Sequence, residues 1–294
     1  MPGGEQAEVS MEARLVSAAL VIGAGISLLL GSAIVISLFD DVGEAGAVLL
    51  RLFFAAVVLL ALWRPALAGR SRRAWRYAVI FGAVVAGLNF FFFEAIDRAP
   101  LGIVSSVGFI GPLVVALAAS RRPVDLVWIV MAALGIFLFT PLGGGSLDSL
   151  GLLFSGLVAA GWAGYILVAS RIGQAFEGGD GLALGVAFGV LIMAPGGIAS
   201  GGADLLRPEV LAVGAAVAVM SSAIPYTMEL EALRRLDTGT FGILVSLQPA
   251  IAALVGFFVL SQDLRATEVL AVALVIAASI GALGRARAPA PLET

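Results

Sequence analysis

Long apolar stretches alternate with short polar connectors along almost the whole chain. Each stretch is close to the roughly 20 residues that a bilayer crossing requires, so the pattern predicts ten membrane-spanning helices. The connectors contain Arg, Asp, Gly or Pro, and consecutive helices are therefore expected to pack as neighbours. The predicted spans are residues 15–38, 44–63, 74–96, 101–119, 125–142, 149–170, 182–200, 209–232, 239–260 and 267–284.

Two parts of this pattern, residues 94–112 and 231–249, repeat each other. Each contains a helix end, a polar turn and a new helix with a proline in it. A constant offset of 137 residues relates Glu94 to Glu231, Ala95 to Ala232, Arg98 to Arg235, Gly102 to Gly239 and Pro112 to Pro249. Two apolar helices that resemble each other by composition alone are the alternative, but matched Glu, Arg, Gly and Pro residues at one offset favour a repeat. The copies lie five spans apart, an odd number, so the two halves should have opposite orientations in the membrane, as is typical of secondary transporters.

The sequence thus predicts an all-α integral membrane protein with ten transmembrane helices in two inverted five-helix repeats. The repeats are expected at residues 14–143 and 144–285, between a disordered cytoplasmic segment at 1–13 and a cytoplasmic tail at 286–294. With the N-terminus inside, thirteen of the seventeen basic residues fall on the inner side, as the positive-inside rule requires. Only Arg98, Arg207 and Arg265 fall outside, and Arg51 lies within a span. The expected location is the bacterial inner membrane.

Composition supports the membrane assignment and excludes several function classes. Hydrophobic residues make up 61% of the chain and charged residues 13%, with a mean hydropathy of +1.08, whereas soluble domains have about 45–50% apolar residues. The chain has no cysteine and no histidine, which excludes disulfides, thiol nucleophiles, His-based metal sites and Ser-His triads. The net charge is −3, so the chain lacks the excess of basic residues that is typical of nucleic-acid-binding proteins. With no GxxxxGK[ST] phosphate loop, ATP-driven transport is not expected.

Ionisable residues within membrane spans are costly and are functional candidates by default. Arg51 lies about two turns below the outer end of the second span, and Glu94 lies at a similar depth in the third. The two are predicted to form a charge pair, although a snorkelling arginine and a helix-end carboxylate remain the alternatives. Glu229, near the inner end of the eighth span, is a candidate for the cavity wall, whereas Glu231 is expected at the interface.

Prolines within spans mark predicted helix kinks. Each removes a backbone hydrogen bond, and the freed carbonyls are tolerated where they face protein or a wet cavity. The predicted kinks are at Pro112, Pro225 and Pro249. The residues predicted to line a substrate cavity near them are Asn89, Ser105, Ser106, Trp162, Tyr165, Tyr226 and Gln248. For the aromatic residues, helix packing or an interfacial belt is the open alternative.

Several motifs resemble those of the EamA-type drug/metabolite transporters. They are Asn89 with the aromatic run leading to Pro100-Leu-Gly102-Ile, Gly111-Pro112-Leu, Arg121-Arg-Pro-Val-Asp125, Pro225-Tyr226, Glu229, Thr240-Phe-Gly242 and Pro249-Ala-Ile-Ala-Ala253. The segment from Arg121 to Asp125 resembles in particular the subgroup of bacterial inner-membrane threonine/homoserine exporters. The resemblance covers nearly the whole chain.

The resemblance implies ten spans in two inverted repeats, a central cavity, and proton-coupled efflux of small amino acids or related metabolites. Arg51 matches an arginine common in the second span, and Glu229 matches a carboxylate of the eighth. The chain departs from the subgroup at Gly108 and Gln248, where the subgroup usually has glutamate. The chain therefore lacks two carboxylates that, in the subgroup, would be expected to bind the cationic amine of the substrate and to take part in proton coupling.

The predicted function is therefore secondary active, proton-coupled export of a small amino acid, such as threonine or homoserine, by alternating access. Glu229 is the expected proton carrier, because burial favours the neutral form of a carboxyl group. No catalytic residue, metal or cofactor is predicted, and a homodimer remains open. The alternatives are a transporter of another neutral or anionic metabolite, acting as importer or uniporter, a multi-span membrane enzyme, and a structural scaffold.

Overall fold

A computed structural model describes residues 10–99, 101–139, 148–260, 265–287 and 289. Within these ranges the regular structure is helical, with no β-strand. The helices of the first half are α1 (Met11–Val35), α2 (Phe39–Trp63), α3 (Arg72–Ile96), α4 (Leu101–Gly108), α5 (Ile110–Ala119) and α6 (Pro123–Phe139). Those of the second half are α7 (Ser149–Ala175), α8 (Asp180–Gly201), α9 (Pro208–Ala218), α10 (Ile224–Leu233), α11 (Thr238–Val245), α12 (Gln248–Leu260) and α13 (Ala266–Leu283).

Eight helical segments are long and apolar enough to cross a membrane, which makes the chain a multi-pass membrane protein. They are Met11–Gly31, Phe39–Trp63, Arg72–Ile96, Ser149–Ala175, Asp180–Leu206, Pro208–Leu233, Thr238–Val255 and Ala266–Leu283. Two further apolar segments, Ile103–Ala119 and Pro123–Phe139, are shorter. Every predicted span therefore coincides with a helical segment, but length and composition identify eight crossing helices rather than ten.

The ends of the predicted segments differ from the structure in places. Because α1 begins at Met11, residues 11–13 form helix instead of belonging to a disordered segment. The rest of that N-terminal segment, residues 1–9, lies outside the described residues. So do residues 140–142 at the end of the fifth predicted span, the expected repeat boundary at 143/144, and residues 288 and 290–294 of the tail.

Helical structure is interrupted shortly before each of the three prolines predicted as kinks, and for Pro112 and Pro249 the interruption begins four residues earlier. The first interruption follows Gly108, where α4 ends, and Pro112 lies in the first turn of α5. The second follows Val245, where α11 ends, four residues before Pro249. A proline ring clashes with the carbonyl four residues earlier and cannot donate to it, which explains the common spacing.

The interruption before Pro225 takes a different form. The segment Val219–Ala223 is a π-turn, in which the Ile224 N–H donates to the Val219 carbonyl five residues earlier. The extra residue in this turn accommodates Pro225, which has no N–H to donate. Such π-turns occur often at functional sites. The eighth predicted span is therefore one continuous path through α9, the π-turn and α10.

A glycine break lies near the start of α2. Gly43 has a positive φ of 68°, a backbone conformation that glycine adopts at little cost. The Ser200 hydroxyl of α8 donates to the Val42 carbonyl at 3.0 Å, so the carbonyl beside the break keeps a partner. The break lies one residue before the predicted start of the second span at residue 44.

Small residues let α3 and α8 approach closely. A Cβ placed on Gly82 of α3 would lie 2.6 Å from the Gly185 carbonyl oxygen and 2.7 Å from the Gly189 nitrogen. Gly185 and Gly189 form a GxxxG pair, a motif that permits close packing of membrane helices. The same glycines leave room for Phe81, which is buried next to Gly185.

The two halves of the chain pack against each other along most of their length. In the described residues α2 packs on α8 and α9, α3 on α7 and α8, and α1 on α10. Likewise α5 packs on α11, and α6 on α13. The centre of the fold is thus formed by α2, α3, α7 and α10, which together carry the polar residues described below.

Polar contacts join α6, α11 and residue 287 at the end of the bundle near residue 237. Asp237 caps α11 by accepting from the Thr240 N–H at 2.9 Å, and it also accepts from the Arg287 N–H at 3.1 Å. The Arg287 guanidinium lies 3.9 Å from Asp125 at the start of α6. Close beside these contacts, α5 and α11 pack through Gly239 and Gly242.

Candidate functional site

Five polar side chains, four of them buried and one half-buried, meet where α2, α3, α7 and α10 come together. We call them the central polar cluster: Arg51, Asn89, Tyr165, Tyr226 and Glu229. Arg51 and Asn89 are each 9% exposed, Glu229 is 3% exposed, and Tyr165 is 2% exposed. All five were predicted from the sequence as site residues, and the fold brings them together from positions up to 178 residues apart.

Glu229 is the acidic end of the cluster. Its Oε2 accepts a hydrogen bond of 2.6 Å from the Tyr165 hydroxyl. Among the described residues, no basic group lies within the 4.0 Å of an ion pair. A buried carboxylate without a cation is costly, and this carboxyl group is therefore poised to take up a proton or a cationic ligand.

Arg51 is the basic end. Its guanidinium donates to the Asn89 Oδ1, while the Asn89 Nδ2 donates to the Val85 carbonyl at 2.7 Å within α3. The Arg51 Nε is buried and has no hydrogen-bond partner in the described structure. No carboxylate there lies within ion-pair distance of Arg51 either, so its charge is not neutralised by a neighbouring acid.

Tyr226 lies between the two ends. Its ring centroid is 5.9 Å from that of Tyr165. Its hydroxyl lies beside Asn89 and within electrostatic range of both Arg51 and Glu229. Tyr226 therefore links the Arg51–Asn89 pair to the Glu229–Tyr165 pair.

Aromatic rings extend the cluster toward α4 and α5. Trp162 packs edge-on against Tyr165 at 5.8 Å and stacks on Phe109 at 6.4 Å between centroids. Phe109 occupies the break between α4 and α5. A Cβ on the adjacent Gly108 would lie 3.0 Å from Val158. Close packing against α7 thus leaves little room for a side chain at position 108.

Glu94 does not pair with Arg51, and the predicted charge pair is wrong. Its carboxylate binds Arg98 at 2.7 Å, one helical turn further along the chain. Glu94 follows Asn89 by five residues on α3, so the shorter asparagine reaches Arg51 from the central face of the helix. Glu94 is consequently a carboxylate at the helix end, which was the alternative to the predicted charge pair.

The other predicted cavity residues lie around the cluster rather than in it. Ser105 and Ser106 are half-buried on α4. Gln248 is half-buried at the start of α12, facing Gly25 of α1. No hydrogen bond of the described residues joins Ser105 or Gln248 to the cluster. Glu231 lies at the helix end, paired with Arg235 at 2.6 Å.

Ser222 was not identified from the sequence. It lies in the π-turn, is fully buried, and its hydroxyl has no hydrogen-bond partner in the described residues. The neighbouring Ser221, by contrast, donates to the Val217 carbonyl at 2.7 Å. The signal that could have found Ser222 is a pair of serines three and four residues before Pro225 in an apolar span.

The chemistry of the site follows from the side chains that form it. Within the part of the chain that the structure describes, no cluster of three Asp, Glu, His or Cys side chains could hold a metal ion. The arrangement presents one guanidinium, one carboxyl group, two tyrosines and an amide in a buried setting. Such a site can hold a small polar molecule and exchange a proton with it.

Replacing Tyr165 with phenylalanine should destabilise the protein. The change removes the single hydrogen bond to the buried Glu229 carboxylate and leaves that group unsatisfied, at a cost of about 1–3 kcal/mol. We expect a lower thermal unfolding midpoint in detergent. The matched control is Tyr77→Phe, because in the described residues the Tyr77 hydroxyl accepts its hydrogen bond from the exposed Arg73 side chain. Equal midpoints for both variants would contradict the role of this hydrogen bond.

Comparison with known proteins identifies the family. The profile of the EamA-like transporter family matches residues 149–284. Over 253 residues, 85% of each chain, the sequence is 38% identical to the threonine/homoserine exporter RhtA of Salmonella typhimurium (strain LT2) and 39% identical to that of Escherichia coli (strain K12). A solved crystal structure matches with a TM-score of 0.75 and 19% identity, over 92% of this chain and 96% of that one, a likeness of fold. The chain therefore belongs to the EamA-like transporter family, within the group that contains the RhtA exporters.

Proposed function

We propose that this protein exports a small amino acid, such as threonine or homoserine, across the bacterial inner membrane in exchange for protons. One observation carries the proposal. In a family of transporters, the helices of this chain bury an arginine and a glutamate that have no oppositely charged partner among the described residues. Ionisable residues inside membrane helices mark substrate or proton pathways. The names of the RhtA relatives supply the substrate class.

The proposed architecture is ten spans in two inverted repeats. In it, α4 with α5 forms the fourth span, α6 the fifth, α9 with α10 the eighth, and α11 with α12 the ninth. Exchanging each span with the one five positions later turns the contact of α3 with α7 into that of α10 with α1, both of which are observed. It also turns the contact of α3 with α8 into that of α2 with α9. This exchange supports a two-fold relation between the halves.

The proposed transport cycle is alternating access. With both termini in the cytoplasm, α5 and α11 are the inner halves of the fourth and ninth spans, and they pack on each other. The outer halves are α4, which packs on α7, and α12, which packs on α1 and α13. This arrangement fits a state that is closed toward the cytoplasm, with the Asp237–Arg287 contact at the closed end. Rocking about the interruptions near Pro112 and Pro249 would open the inner side.

Glu229 is the proposed coupling residue. Its buried carboxyl group has one hydrogen-bond donor, Tyr165, and no cation to hold it charged. Transfer from water disfavours the charged form. Proton uptake from the outside and release to the cytoplasm would then accompany export of the amino acid.

The second candidate is transport of a neutral or anionic metabolite, as importer or uniporter. The observation that favours it is the absence of carboxylates at Gly108 and Gln248, two positions where the related subgroup usually has glutamate. Without those acids, the central polar cluster contains one acidic side chain, Glu229, to receive an ammonium group.

Flux measurements on reconstituted vesicles test the proposal. Purified protein in proteoliposomes loaded with radiolabelled threonine or homoserine should release the amino acid faster than protein-free vesicles. Release should accelerate when the outside is made acidic relative to the lumen, because proton entry then drives exit of the substrate.

The outcomes separate the candidates. If the rate of flux is the same with and without the pH gradient, export is not coupled to protons. Flux of lactate or another organic acid in place of threonine and homoserine would favour the second candidate. No flux of any of these compounds would reject the proposed transport function.

A further inference from the structure

The positive end of the central polar cluster has more hydrogen-bond donors than partners. An arginine side chain carries five N–H donors in a planar fork and stays charged in proteins. In the described structure Arg51 uses its fork on one amide oxygen, that of Asn89, and its Nε is buried without a partner. A buried cation in this condition is expected to bind an anion that the chain itself does not supply.

The π-turn places a second unused donor on the same side of the cluster. The Ser222 hydroxyl is fully buried and makes no hydrogen bond in the described residues. The π-turn packs against α2, the helix that carries Arg51. The Tyr226 hydroxyl lies near Asn89, Ser222 and Arg51, but no hydrogen bond of acceptable distance and angle joins it to Ser222. The free donors of Arg51 and Ser222 therefore flank one tyrosine.

The chemistry of these donors selects the ligand group. A guanidinium binds a carboxylate through two parallel N–H···O bonds, and a serine hydroxyl can donate a further bond to the same oxygens. A single positive charge balances a carboxylate, whereas a phosphate dianion would leave excess negative charge in a buried site that also contains Glu229. A monocarboxylate is thus the anion that fits.

We propose that Arg51 and Ser222 form the binding site for the carboxylate of the transported metabolite. This inference rests on the proposed transport function and adds the orientation of the substrate to it. With the carboxylate on Arg51, the ammonium group of an amino acid points past Tyr226 toward Glu229. Ser222 then acts as a specificity residue, and the π-turn before Pro225 is the device that leaves its hydroxyl free.

Binding of acid and amide forms of one compound tests the site. Purified wild-type protein should bind L-threonine about 10-fold or more tightly than L-threoninamide, which lacks the negative charge. Arg51→Lys keeps the charge but loses the planar fork, and Ser222→Ala loses one hydroxyl. Both variants should bind threonine more weakly than the wild type does. The ratio of the affinity for threonine to the affinity for threoninamide should also be smaller. Isothermal titration in detergent measures both affinities without relying on transport.

Two matched controls guard against a merely structural effect. Ser221→Ala lies in the same π-turn, but its hydroxyl is already bonded to the Val217 carbonyl. Ser155→Ala is equally buried on α7, where the hydroxyl donates to the Gly151 carbonyl. Both should retain the wild-type acid-to-amide ratio. If Arg51→Lys does not fold, the smaller Ser222→Ala change still decides the question.

The result that overturns the inference differs from failure of the proposed function. An acid-to-amide ratio that is unchanged in both Arg51→Lys and Ser222→Ala would mean that the carboxylate binds elsewhere. If wild-type protein binds neither threonine nor homoserine, the amino-acid substrate class is rejected, and lactate is then compared with lactamide. A lactate preference that disappears in Arg51→Lys supports the carboxylate site. If the wild-type protein prefers the acid neither in the threonine–threoninamide pair nor in the lactate–lactamide pair, the proposed carboxylate site is rejected.

Discussion

Replacing Glu229 with glutamine should reduce export of threonine against a concentration gradient to background. Glutamine has nearly the same shape and can still accept the hydrogen bond from Tyr165, so the fold is expected to persist. It can neither bind a proton nor carry the negative charge, and both are required of a coupling group. Exchange of labelled for unlabelled substrate at equal concentrations needs no net proton movement and should continue. The measurement is gradient-driven flux and equilibrium exchange in the same proteoliposomes.

The control for this prediction is a glutamate on the same helix. Glu231 lies two residues further along, at the end of α10, where its carboxylate pairs with Arg234 at 3.4 Å and Arg235 at 2.6 Å. Exposed ion pairs of this kind contribute about 0–1 kcal/mol, so Glu231→Gln should transport normally. A Glu229→Gln variant that exports normally against a gradient would remove Glu229 from the coupling step.

Replacing Gly82 with leucine should prevent the bundle from assembling correctly. A side chain there would have to enter space held by backbone atoms of Gly185 and Gly189 on α8, both within 2.7 Å of the first added carbon. Backbone atoms cannot rotate away as a side chain can, so α3 and α8 must separate. Overpacking of well-packed interiors costs about 1–3 kcal/mol, and sometimes more. We expect loss of monodisperse protein in size-exclusion chromatography and a lower thermal midpoint.

A glycine with open surroundings provides the comparison. A Cβ on Gly156 of α7 would meet no atom within 4 Å, and the residue is exposed on the surface of the bundle. Gly156→Leu adds the same apolar volume to another membrane helix and should behave like the wild type. If both leucine variants unfold alike, the cause is the loss of glycine as such, and not the close contact between α3 and α8.

Local features of the fold were predictable from the sequence. Each predicted span starts within five residues of a helix start, because a run of apolar residues in a bilayer must form helix to satisfy its own backbone. The helix interruptions near the three prolines were also predictable, because a proline has no N–H to donate to the carbonyl four residues earlier. The form of the interruption was not. Near Pro225 it is a π-turn, whereas near Pro112 and Pro249 the helix stops and restarts.

The partners within the site were harder to predict. Arg51, Asn89, Tyr165, Tyr226 and Glu229 were chosen because polar groups inside spans are costly, and they do lie together. The partner of Arg51 was nevertheless predicted wrongly. Depth along two helices does not say which faces meet, and Asn89 rather than the acidic residue of α3 faces Arg51.

The sequence by itself determined that this is a multi-pass helical membrane protein of a transporter family, and which residues bury polar groups in it. Those properties depend on local composition and on motifs that a single chain displays. Only the tertiary structure decided that Glu229 bonds Tyr165, that Glu94 turns to Arg98, and that the Ser222 hydroxyl is left free near Arg51. Such contacts depend on how helices rotate against each other, which close glycine packing and the helix interruptions control. The repeated stretch that ends at Pro112 and Pro249 therefore locates the hinges proposed for transport, whereas the central polar cluster arises from the packing of α2, α3, α7 and α10.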